Sequence, residues 1–341
     1  MTDSLDNEIM SPSDSKSRDA PEDLDVSIIV VSYNTREMTL DCLRSVVAQS
    51  PDLDFEVLFI DNQSTDGSFE AVESEFGSDA RFQIVDSDEN LGFARANNVM
   101  AKRARGRRLL LLNPDTVVLD RALERLNAFA DERSECGIWG GRTMKADGVT
   151  LDPRSCWADL TLRGVFFRTI GLSKAFSGSE FFNPHAYGDW QRDTVRHVGF
   201  VTGCLLLIDR SLWEKLEGFA PEFFMYGEEA ELCLRAKSFG ATPIITPEAA
   251  IIHYVGASAT TKWQTRVKIN RGEITLMRLH WSKTAACLGR ELIRVATAYR
   301  RIVFWAISKL RRTEHNRNRA SDWKNIWAAR SEWLAGYRSS D

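Results

Sequence analysis

Acidic side chains stand where two hydrophobic runs of the sequence end. The apolar run 57–60 is followed by Asp61, and the four leucines 109–112 are followed by Asn113-Pro114-Asp115. A carboxylate at the end of a buried strand can cap the next helix, or it can hold a cation or a hydrogen-bond donor of a ligand. Both interpretations are open for either acid taken alone.

Three glutamates, Glu228, Glu229 and Glu231, crowd within four residues beside the apolar segment 223–225. Acids in the first turn of a helix are favoured by the helix dipole, by about 0.3–1 kcal/mol each at low salt. Crowding and apolar neighbours also raise carboxyl pKa values, and a raised pKa suits a general base. The sequence therefore indicates either a favourable helix start or a catalytic carboxylate.

His253 follows the apolar run 249–252. A single histidine in this setting is often a hydrogen-bonded core residue. If it faces Asp115, the imidazole and the carboxylate can share a divalent cation.

The elements that must position these residues alternate along the first half of the chain. Continuous apolar runs predict strands and amphipathic stretches predict helices, which together form βαβ units and a mainly parallel sheet flanked by helices. The predicted strands are 26–33, 55–61, 81–87, 107–112 and 136–141, and the predicted helices are 36–49, 68–76, 92–104 and 122–132.

Polar residues follow four of these strands. Ligands of parallel sheets bind beyond the carboxyl ends of the strands, and these ends meet at one edge. Four such ends favour a binding site over four independent helix caps. The residues are Ser32-Tyr33-Asn34, Asp61-Asn62-Gln63-Ser64, the stretch 86–90 and Asn113-Pro114-Asp115.

The second half of the chain is less periodic. We predict a strand at 204–208 followed by a short helix, and a helix after Tyr226 whose apolar face ends at Gly240. Segment 242–258 predicts two short strands and a loop carrying His253. Beyond it, segment 276–312 predicts one or two long basic helices.

Charge is distributed unevenly along the chain, which carries −4 overall. Residues 261–341 contain 18 Lys and Arg against 6 Asp and Glu, a net +12, with six of the ten tryptophans, while residues 1–260 carry −16. A basic, Trp-rich segment suits an anionic membrane surface, and the alternative is a solvated helical pair packed on the preceding domain. The acidity of the remainder argues against nucleic acid as a partner.

Two further features bound the class of protein. Segment 1–25 is polar and acidic, without the apolar core of a signal peptide, and predicts a disordered leader. The six cysteines are scattered without a CxxC pair, which favours a reducing compartment and no structural zinc.

Six motifs, in this order along the chain, resemble those of the family 2 inverting glycosyltransferases with the GT-A fold. Within that family the sequence is most similar to bacterial rhamnosyltransferase-like enzymes of polysaccharide assembly. The resemblance covers roughly 26–258. The motifs are VSIIVVSYNTRE, LFIDNQSTDGS, ENLGFARANN, LLLLNPDT, FMYGEEAELCLR and IIHYVGAS.

The resemblance implies a nucleotide-sugar site along the sheet edge. Asp61 would accept a hydrogen bond from a pyrimidine base. The remaining donor-site residues would line the base and ribose pocket (Val31, Tyr33 and Asn34), shape the ribose and sugar side (Asn90, Gly92, Phe93 and Asn97) or occupy the first position of the family's DxD element (Asn113).

The resemblance also implies the metal and the base. Asp115 would be the metal-binding acid of DxD, with His253 completing a site for Mg²⁺ or Mn²⁺, although Asn113 leaves the element with one carboxylate. Glu229 stands where relatives usually carry the aspartate that deprotonates the acceptor, beside Glu228, with Glu231 as a further candidate. In-line attack by the activated hydroxyl would invert the anomeric centre.

The resulting expectation is a Rossmann-like GT-A domain at 26–262, with a nucleotide-sugar-binding half at 26–144 and an acceptor half at 145–262. A basic helical extension would follow at 263–341. The donor would be a UDP- or dTDP-sugar, with rhamnose as the family-level expectation, and the acceptor a glycan or a polyprenyl-linked glycan. We expect a cytoplasmic enzyme whose segment 279–341 contacts the inner membrane.

Two other functions compete with this expectation. The chain could be a catalytically silent nucleotide-sugar-binding scaffold of an assembly complex, because Asn113 and Glu229 differ from the common pattern. It could also be a nucleotidyltransferase, but that class would place a Gly-rich basic loop after the first strand, where this sequence has SYNTRE.

Overall fold

The computed structural model describes residues 24–254 and 261–338. The expected leader and the end of the last motif therefore fall largely outside the described residues. The strands are β1 Val26–Ser32, β2 Phe55–Asp61, β3 Phe82–Asp86, β4 Arg108–Leu112, β5 Thr116–Val118, β6 Ile138–Met144, β7 Leu151–Asp152, β8 Cys156–Trp157, β9 Arg196–His197, β10 Phe200–Val201, β11 Leu205–Asp209 and β12 Ile244–His253.

Helices connect and cover these strands. They are α1 Arg36–Gln49, α2 Ser68–Phe76, α3 Gly92–Ala101, α4 Ala122–Glu132, α5 Leu162–Ile170, α6 Leu172–Ala175, α7 Arg210–Lys215, α8 Glu228–Ser238, α9 Lys262–His280, α10 Lys283–Leu310, α11 Glu314–Ala328 and α12 Arg330–Ala335.

One mixed sheet organises the chain, with the strand order β3-β2-β1-β4-β11-β6-β12-β5. Strands β3, β2, β1 and β4 are parallel, with Asp61 aligned with Ser32 on one side and Asp86 on the other. Strand β11 is antiparallel to both β4 and β6. The sheet therefore continues from the first half of the chain into the second without a break.

The central strands are buried on both faces, which explains their continuous apolar sequences. Helices α1, α2 and α4 cover one face, and α3, α7 and α8 cover the other. The α/β sheet of the sequence analysis is confirmed, and the strands and helices predicted before residue 133 agree with the structure to within three residues.

One prediction for the second half of the chain is wrong in detail. Segment 242–258 does not contain two strands with His253 in a loop, because His253 is the last residue of the single strand β12, whose pairing shifts between Ile245 and Ala250. The short strand β5 after Asp115 was not predicted. Segment 276–312, predicted to form one or two long helices, contains the end of α9 and the whole of α10, and α11 and α12 follow it.

The helices α9–α12 share a small apolar core with α5, centred on Trp333, Ile293 and Met277. Helix α5 contacts α10, where the Thr169 hydroxyl donates to the Leu292 carbonyl at 3.3 Å. Across the part of the chain that the structure describes, the helices are too short or too polar to cross a bilayer.

Candidate active site

Asp61 ends β2 with one carboxylate oxygen held and the other available. Its Oδ2 accepts a hydrogen bond from the Ser64 amide at 2.7 Å, and the residue is only 1% exposed. Within the described chain Oδ1 is buried and has no hydrogen-bond partner. Burial raises the pKa of Asp61, against the opposing Ser64 hydrogen bonds. A buried carboxylate oxygen without a donor is what a ligand N–H would complete.

The end of β1 adds three predicted residues to this edge. Val31 is buried and pairs with Ile60 of β2, whereas Tyr33 lies just beyond the strand and is 39% exposed. Asn34 has a left-handed backbone (φ 52°), and its Oδ1 accepts from the Thr65 amide at 2.8 Å. Asn34 therefore fixes the loop after Asp61, and Tyr33 is the aromatic surface open to a ligand.

Asn90 and Gly92 are joined to this loop by Asn62, which the sequence analysis placed at the edge without a role. The Asn62 amide group donates to Asn90 Oδ1 at 3.1 Å, and its Oδ1 accepts from the Leu91 amide at 2.8 Å. Asn90 Oδ1 also accepts from the Gly92 amide at 3.0 Å. These bonds hold the start of α3 against the ends of β2 and β3.

Gly92 brings α3 into contact with the segment that precedes the glutamates. Its φ is +73°, and a Cβ atom there would lie 2.6 Å from the Phe224 carbonyl oxygen. The next amide, of Phe93, donates to that carbonyl at 2.8 Å. Asn97 is buried one turn later, and its side chain donates to the Phe93 carbonyl at 2.8 Å. The glycine is required because a side chain would separate the two segments.

Asp115 and His253 meet at the far side of this edge. The His253 Nε2 atom lies 3.3 Å from Asp115 Oδ1, and both side chains are largely buried. Strands β5 and β12 align Thr116 with His253, and the Tyr254 amide donates to the Asp115 carbonyl at 2.9 Å. Because β5 follows Asp115 directly and α4 begins only at Ala122, Asp115 does not cap that helix.

The pair Asp115–His253 offers a carboxylate oxygen and an imidazole nitrogen. Burial lowers the pKa of His253, but the Cys204 sulfur and the Asp115 carboxylate outweigh it and raise that pKa to about 10, so a bound cation would displace the proton from this imidazole. In the described chain His253 Nδ1 has no hydrogen-bond partner. Among the same residues no group of three or more His, Cys, Asp or Glu side chains is arranged to hold a metal ion.

Two protein ligands fit a cation that takes its remaining ligands from a substrate. Mg²⁺ is typically bound by one or two carboxylates together with phosphate oxygens and water. Asn113 lies two residues before Asp115, partly exposed, and its amide faces the Cys204 carbonyl at 3.5 Å. Because residue 113 is an asparagine, Asp115 is the single carboxylate of this strand end.

Glu229 is held at the mouth of α8 by the chain before β11. The Gly203 amide donates to Glu229 Oε1 at 3.1 Å. A Cβ atom on Gly203 would lie 2.8 Å from the Phe93 ring, so Phe93 and Glu229 contact the same glycine. Burial raises the pKa of Glu229, and the Gly203 hydrogen bond opposes that rise. Gly203 was not among the predicted site residues. The only sequence feature that points to it is a Thr-Gly pair before an apolar run.

Glu228 lies beside Glu229 and is only 2% exposed. Its Oε2 is buried and lacks a hydrogen-bond partner within the described residues. Burial and the neighbouring Glu229 carboxylate raise the pKa of Glu228 well above its usual value. The two adjacent acids, one buried and one partly exposed, therefore form a pair in which a proton is readily retained.

Glu231 faces away from this pair. Its carboxylate accepts from Arg235 Nε at 2.7 Å and lies 3.1 Å from His280 Nε2 of α9. Burial raises the pKa of Glu231, but His280 and Arg235 outweigh it and lower that pKa overall. Glu231 is therefore an ion-pair partner that joins α8 to α9.

Tyr226 connects the two acidic regions and was not singled out from the sequence. It has a left-handed backbone (φ 69°) one residue before Gly227. Burial, followed by the negative charges of Glu228, Glu229 and Asp115, raises the pKa of Tyr226. The charges of α8 and of the β4–β5 connection therefore both act on its phenol.

The fold and site define an α/β protein whose parallel strands end at one edge, with an acid–imidazole pair and a carboxylate pair beside it. Residues 27–215 match the family model described as Glycosyl transferase family 2. The chain belongs to this family.

Curated relatives share this region. Over 68% of its own length, the chain is 28% identical to the O-antigen biosynthesis protein RfbC of Myxococcus xanthus. Over 37% of its own length, it is 35% identical to the putative teichuronic acid biosynthesis glycosyltransferase TuaG of Bacillus subtilis. It is 23% identical to the N-acetylglucosaminyl-diphospho-decaprenol L-rhamnosyltransferase of Mycobacterium tuberculosis over 58%. The matches cover 17%, 50% and 66% of these relatives' own lengths.

A solved structure shares the fold. The mannosyltransferase PcManGT from Pyrobaculum calidifontis, in complex with GDP-Man and Mn²⁺, aligns with a TM-score of 0.56 at 18% identity. The alignment covers 94% of this chain and 91% of PcManGT. The chain thus has the GT-A fold.

Proposed function

We propose that this protein is an inverting glycosyltransferase that moves a sugar from a nucleoside-diphosphate sugar to an acceptor hydroxyl in cell-surface polysaccharide synthesis. The observation that carries the proposal is the Gly203–Glu229 hydrogen bond. It holds a carboxylate with a raised pKa at the mouth of α8, next to the edge that carries Asp61 and Asp115. The names of the O-antigen and teichuronic acid relatives support the polysaccharide role.

Asp61 is proposed to bind the base of the donor. Uracil and thymine each present an N–H donor between two carbonyls, which suits the unpartnered Oδ1 of Asp61. Tyr33, Asn34 and Val31 would border the base and ribose, and the turn from Asn90 to Gly92 would approach the ribose and sugar. A UDP- or dTDP-sugar is therefore the proposed donor, and the L-rhamnosyltransferase relative makes dTDP-rhamnose the first compound to test.

Asp115 and His253 are proposed to hold a divalent cation, Mg²⁺ or Mn²⁺. Their donor set, one carboxylate oxygen and one imidazole nitrogen, fits a cation that is shared with a diphosphate. Such a cation supplies neutralisation of the negative charge on the departing nucleoside diphosphate. Asn113 would contribute a neutral amide beside the diphosphate.

Glu229 is the proposed general base. Its Oε1 is already fixed by Gly203, so Oε2 is the oxygen that accepts the proton of the acceptor hydroxyl. The C–O bond to the donor sugar forms from the face opposite the diphosphate, while the anomeric C–O bond to the diphosphate breaks and its electron pair leaves with that group. Burial keeps the pKa of Glu229 raised. Glu231 is not proposed as the base because its carboxylate is bonded to Arg235 and His280.

A donor panel tests the proposal. Thermal shift and nucleotide release would be measured with UDP-, dTDP- and GDP-sugars, with and without Mg²⁺ or Mn²⁺, and with glycan or polyprenyl-linked acceptors. We expect a metal-dependent shift with a uridine or thymidine donor, and turnover with one acceptor. Binding without turnover by any acceptor would favour the silent scaffold, and absence of all binding would reject the proposal.

The outer surface formed by α5 and α10 is proposed to contact an anionic membrane. On α10 the exposed side chains Leu288, Val295, Tyr299 and Ile302 are spaced by seven, four and three residues and so form one stripe. Phe166 and Ile170 of the neighbouring α5 are also exposed. We call these six residues the α5–α10 face.

Basic residues run beside the α5–α10 face. Arg290, Arg294 and Arg301 are exposed and share another side of α10. An apolar stripe next to a basic stripe suits the boundary between anionic headgroups and acyl chains. This contact would bring the enzyme to a lipid-linked acceptor at the cytoplasmic face of the inner membrane, and it is restricted to the region 279–341 together with α5.

A further inference from the structure

We propose that Tyr337 is a positioning residue for the carboxylate pair at the start of α8. Its phenol donates to the Met225 carbonyl at 2.7 Å, across 112 residues of sequence. Met225 lies three residues before Glu228. Tyr337 is 1% exposed, and burial together with the negative charge of Glu228 raises its pKa. The phenol therefore stays protonated and keeps donating at any working pH.

Helix α9 secures Tyr337 from the other side. The Tyr337 amide donates to Thr275 Oγ1 at 2.7 Å, and Arg271 Nε donates to the Gly336 carbonyl at 3.2 Å. The Arg271 guanidinium also lies over the Tyr337 ring, 4.4 Å from its centre. The Tyr337 amide, the Gly336 carbonyl and the Tyr337 ring are each held by α9. The Tyr337 hydroxyl therefore has a fixed position from which it donates to the Met225 carbonyl.

Helix α9 also packs closely against the next peptide of the loop, at Tyr226. A Cβ atom on Gly272 would lie 1.8 Å from the Tyr226 carbonyl oxygen, so only glycine permits this approach. Two consecutive carbonyls, of Met225 and Tyr226, are thus held by Tyr337 and by the backbone of α9. We call this arrangement, formed by Gly272 and Tyr337 around residues 225–227, the loop clamp.

The loop clamp holds a backbone that would otherwise relax. Tyr226 and Gly227 both have positive φ, 69° and 107°. A tyrosine in the left-handed region is unfavourable and persists only where its surroundings impose it. The turn they form sets the direction of α8, whose first backbone bond runs from the Glu231 amide to the Gly227 carbonyl at 3.0 Å.

The orientation of Glu229 depends on that turn, because Glu229 is the second residue of α8. A displacement of about 1 Å at a reacting group can cost roughly 100-fold in rate. The inference goes beyond the proposed function, since it assigns the helices after residue 262 a part in forming the catalytic site. It can be tested on the loop itself without any substrate.

Hydrogen–deuterium exchange on the full chain provides the first test. Tyr337→Phe removes only the hydroxyl and keeps the ring under Arg271. We expect the amides of 231–234, the first of α8 with helical acceptors, to exchange about fivefold faster, the change that corresponds to losing one hydrogen bond. Tyr299→Phe removes a hydroxyl from an exposed tyrosine of α10 and should leave these amides unchanged. Unchanged exchange in Tyr337→Phe would overturn the inference.

Kinetics provide the second test, with the donor and acceptor chosen by the panel. Tyr337→Phe is expected to lower kcat about fivefold and to leave the donor KM unchanged. The stability control is Trp333→Phe, because Trp333 is buried and donates to the Ile326 carbonyl at 2.8 Å without contacting Met225. This control should lower Tm and keep kcat.

An equal loss of kcat in Trp333→Phe would assign the effect to general destabilisation and overturn the positioning role. Failure of the proposed function and failure of the Tyr337 inference can be told apart. If the panel yields no turnover, the proposed function fails, while the exchange experiment still decides whether Tyr337 holds the loop.

Discussion

The Gly203 amide donates to Glu229 Oε1 at 3.1 Å, and this bond joins the two halves of the site. The next residue, Cys204, turns its carbonyl toward the Asn113 amide at 3.5 Å. Two adjacent residues before β11 therefore contact the proposed base on one side and the Asn113–Asp115 strand end on the other. A general base and a diphosphate site must lie on opposite sides of the reacting sugar, and this short segment sets their separation.

Glu229→Gln is the sharpest test of the base. The amide preserves the hydrogen bond from Gly203 through its oxygen but cannot take a proton. We expect kcat to fall by about 10²- to 10⁴-fold with an unchanged donor Kd, measured by product formation and by calorimetry. Glu228→Gln is the matched control and should lose less. Full turnover in Glu229→Gln would move the base to another carboxylate.

The pH profile of the wild-type enzyme belongs to the same test. Burial raises the pKa of both acids of the pair, and mutual repulsion adds to this at Glu228. The base is active only when deprotonated, so kcat should rise with pH through a midpoint above the ordinary glutamate range. A kcat that stays constant down to about pH 4, near the ordinary glutamate pKa, would contradict this.

Glu231→Gln separates a stabilising carboxylate from a catalytic one. Removing its charge weakens the bonds from Arg235 and His280, and we expect the free energy of unfolding to fall by about 2 kcal/mol. The variant should keep its kcat at temperatures where it is folded. Chemical denaturation and initial rates measure the two effects, and a stable but inactive variant would contradict this assignment.

The pH dependence of that stability has a definite sign. The pKa of Glu231 is lowered from 4.5 in the folded chain, so its contribution is fully present above pH 4.5. The contribution is lost as the pH falls through the lowered folded-state pKa. The difference in stability between wild type and Glu231→Gln should therefore be constant at neutral pH and shrink in acid.

The first half of the fold follows from local sequence. Strands β1, β2 and β4 are buried on both faces, so each contains a run of four apolar residues, and the helices between them have a regular period. Strand β5 has only three residues and lies directly after Asp115, too short for a periodic signal. Strand β12 contains Pro247 where its pairing shifts, which made one strand look like two.

The candidate site was predictable where its residues lie at strand ends. Asp61 and Asp115 were found because a polar residue directly after a buried strand is a local signal. The His280 partner of Glu231 could not be found in this way, since it is 49 residues away on another helix. Gly272 and Tyr337 carry no motif, and their role exists only because α9 and the segment after α12 return to the loop at 225–227.

Asp61→Asn should weaken binding of uridine or thymidine nucleotides. The Ser64 amide retains the oxygen of the new side chain, so the NH₂ group points to where the base would donate, and two donors face each other. We expect a roughly 10- to 100-fold higher Kd for UDP or dTDP by calorimetry. Asp86→Asn is the control, since Asp86 ends the neighbouring strand but is exposed. An equal loss of nucleotide affinity in both variants would contradict the base-binding role of Asp61.

Asp115→Asn tests the proposed cation site. Losing the single carboxylate should raise the Mn²⁺ concentration needed for donor binding at least about tenfold, because even indirect partners of metal ligands cost this much. EDTA should reverse the donor-dependent thermal shift of the wild type and have little effect on the variant. His253→Gln should give a smaller change, since the carboxylate remains. If Asp115→Asn needs the same Mn²⁺ concentration for donor binding as the wild type, the cation binds elsewhere.

Vesicle flotation tests the α5–α10 face. Arg294→Ser and Arg301→Ser should each reduce binding to phosphatidylglycerol-containing vesicles about fivefold, because a basic residue near an anionic surface contributes about 1 kcal/mol. Ile302→Ser should reduce binding at both low and high salt, since it removes apolar contact instead of charge. Val149→Ser is the control, because Val149 is 80% exposed on the turn between β6 and β7. If Ile302→Ser instead dissociates a dimer seen by light scattering and leaves flotation unchanged, the face binds a second copy of the chain and the membrane proposal is wrong.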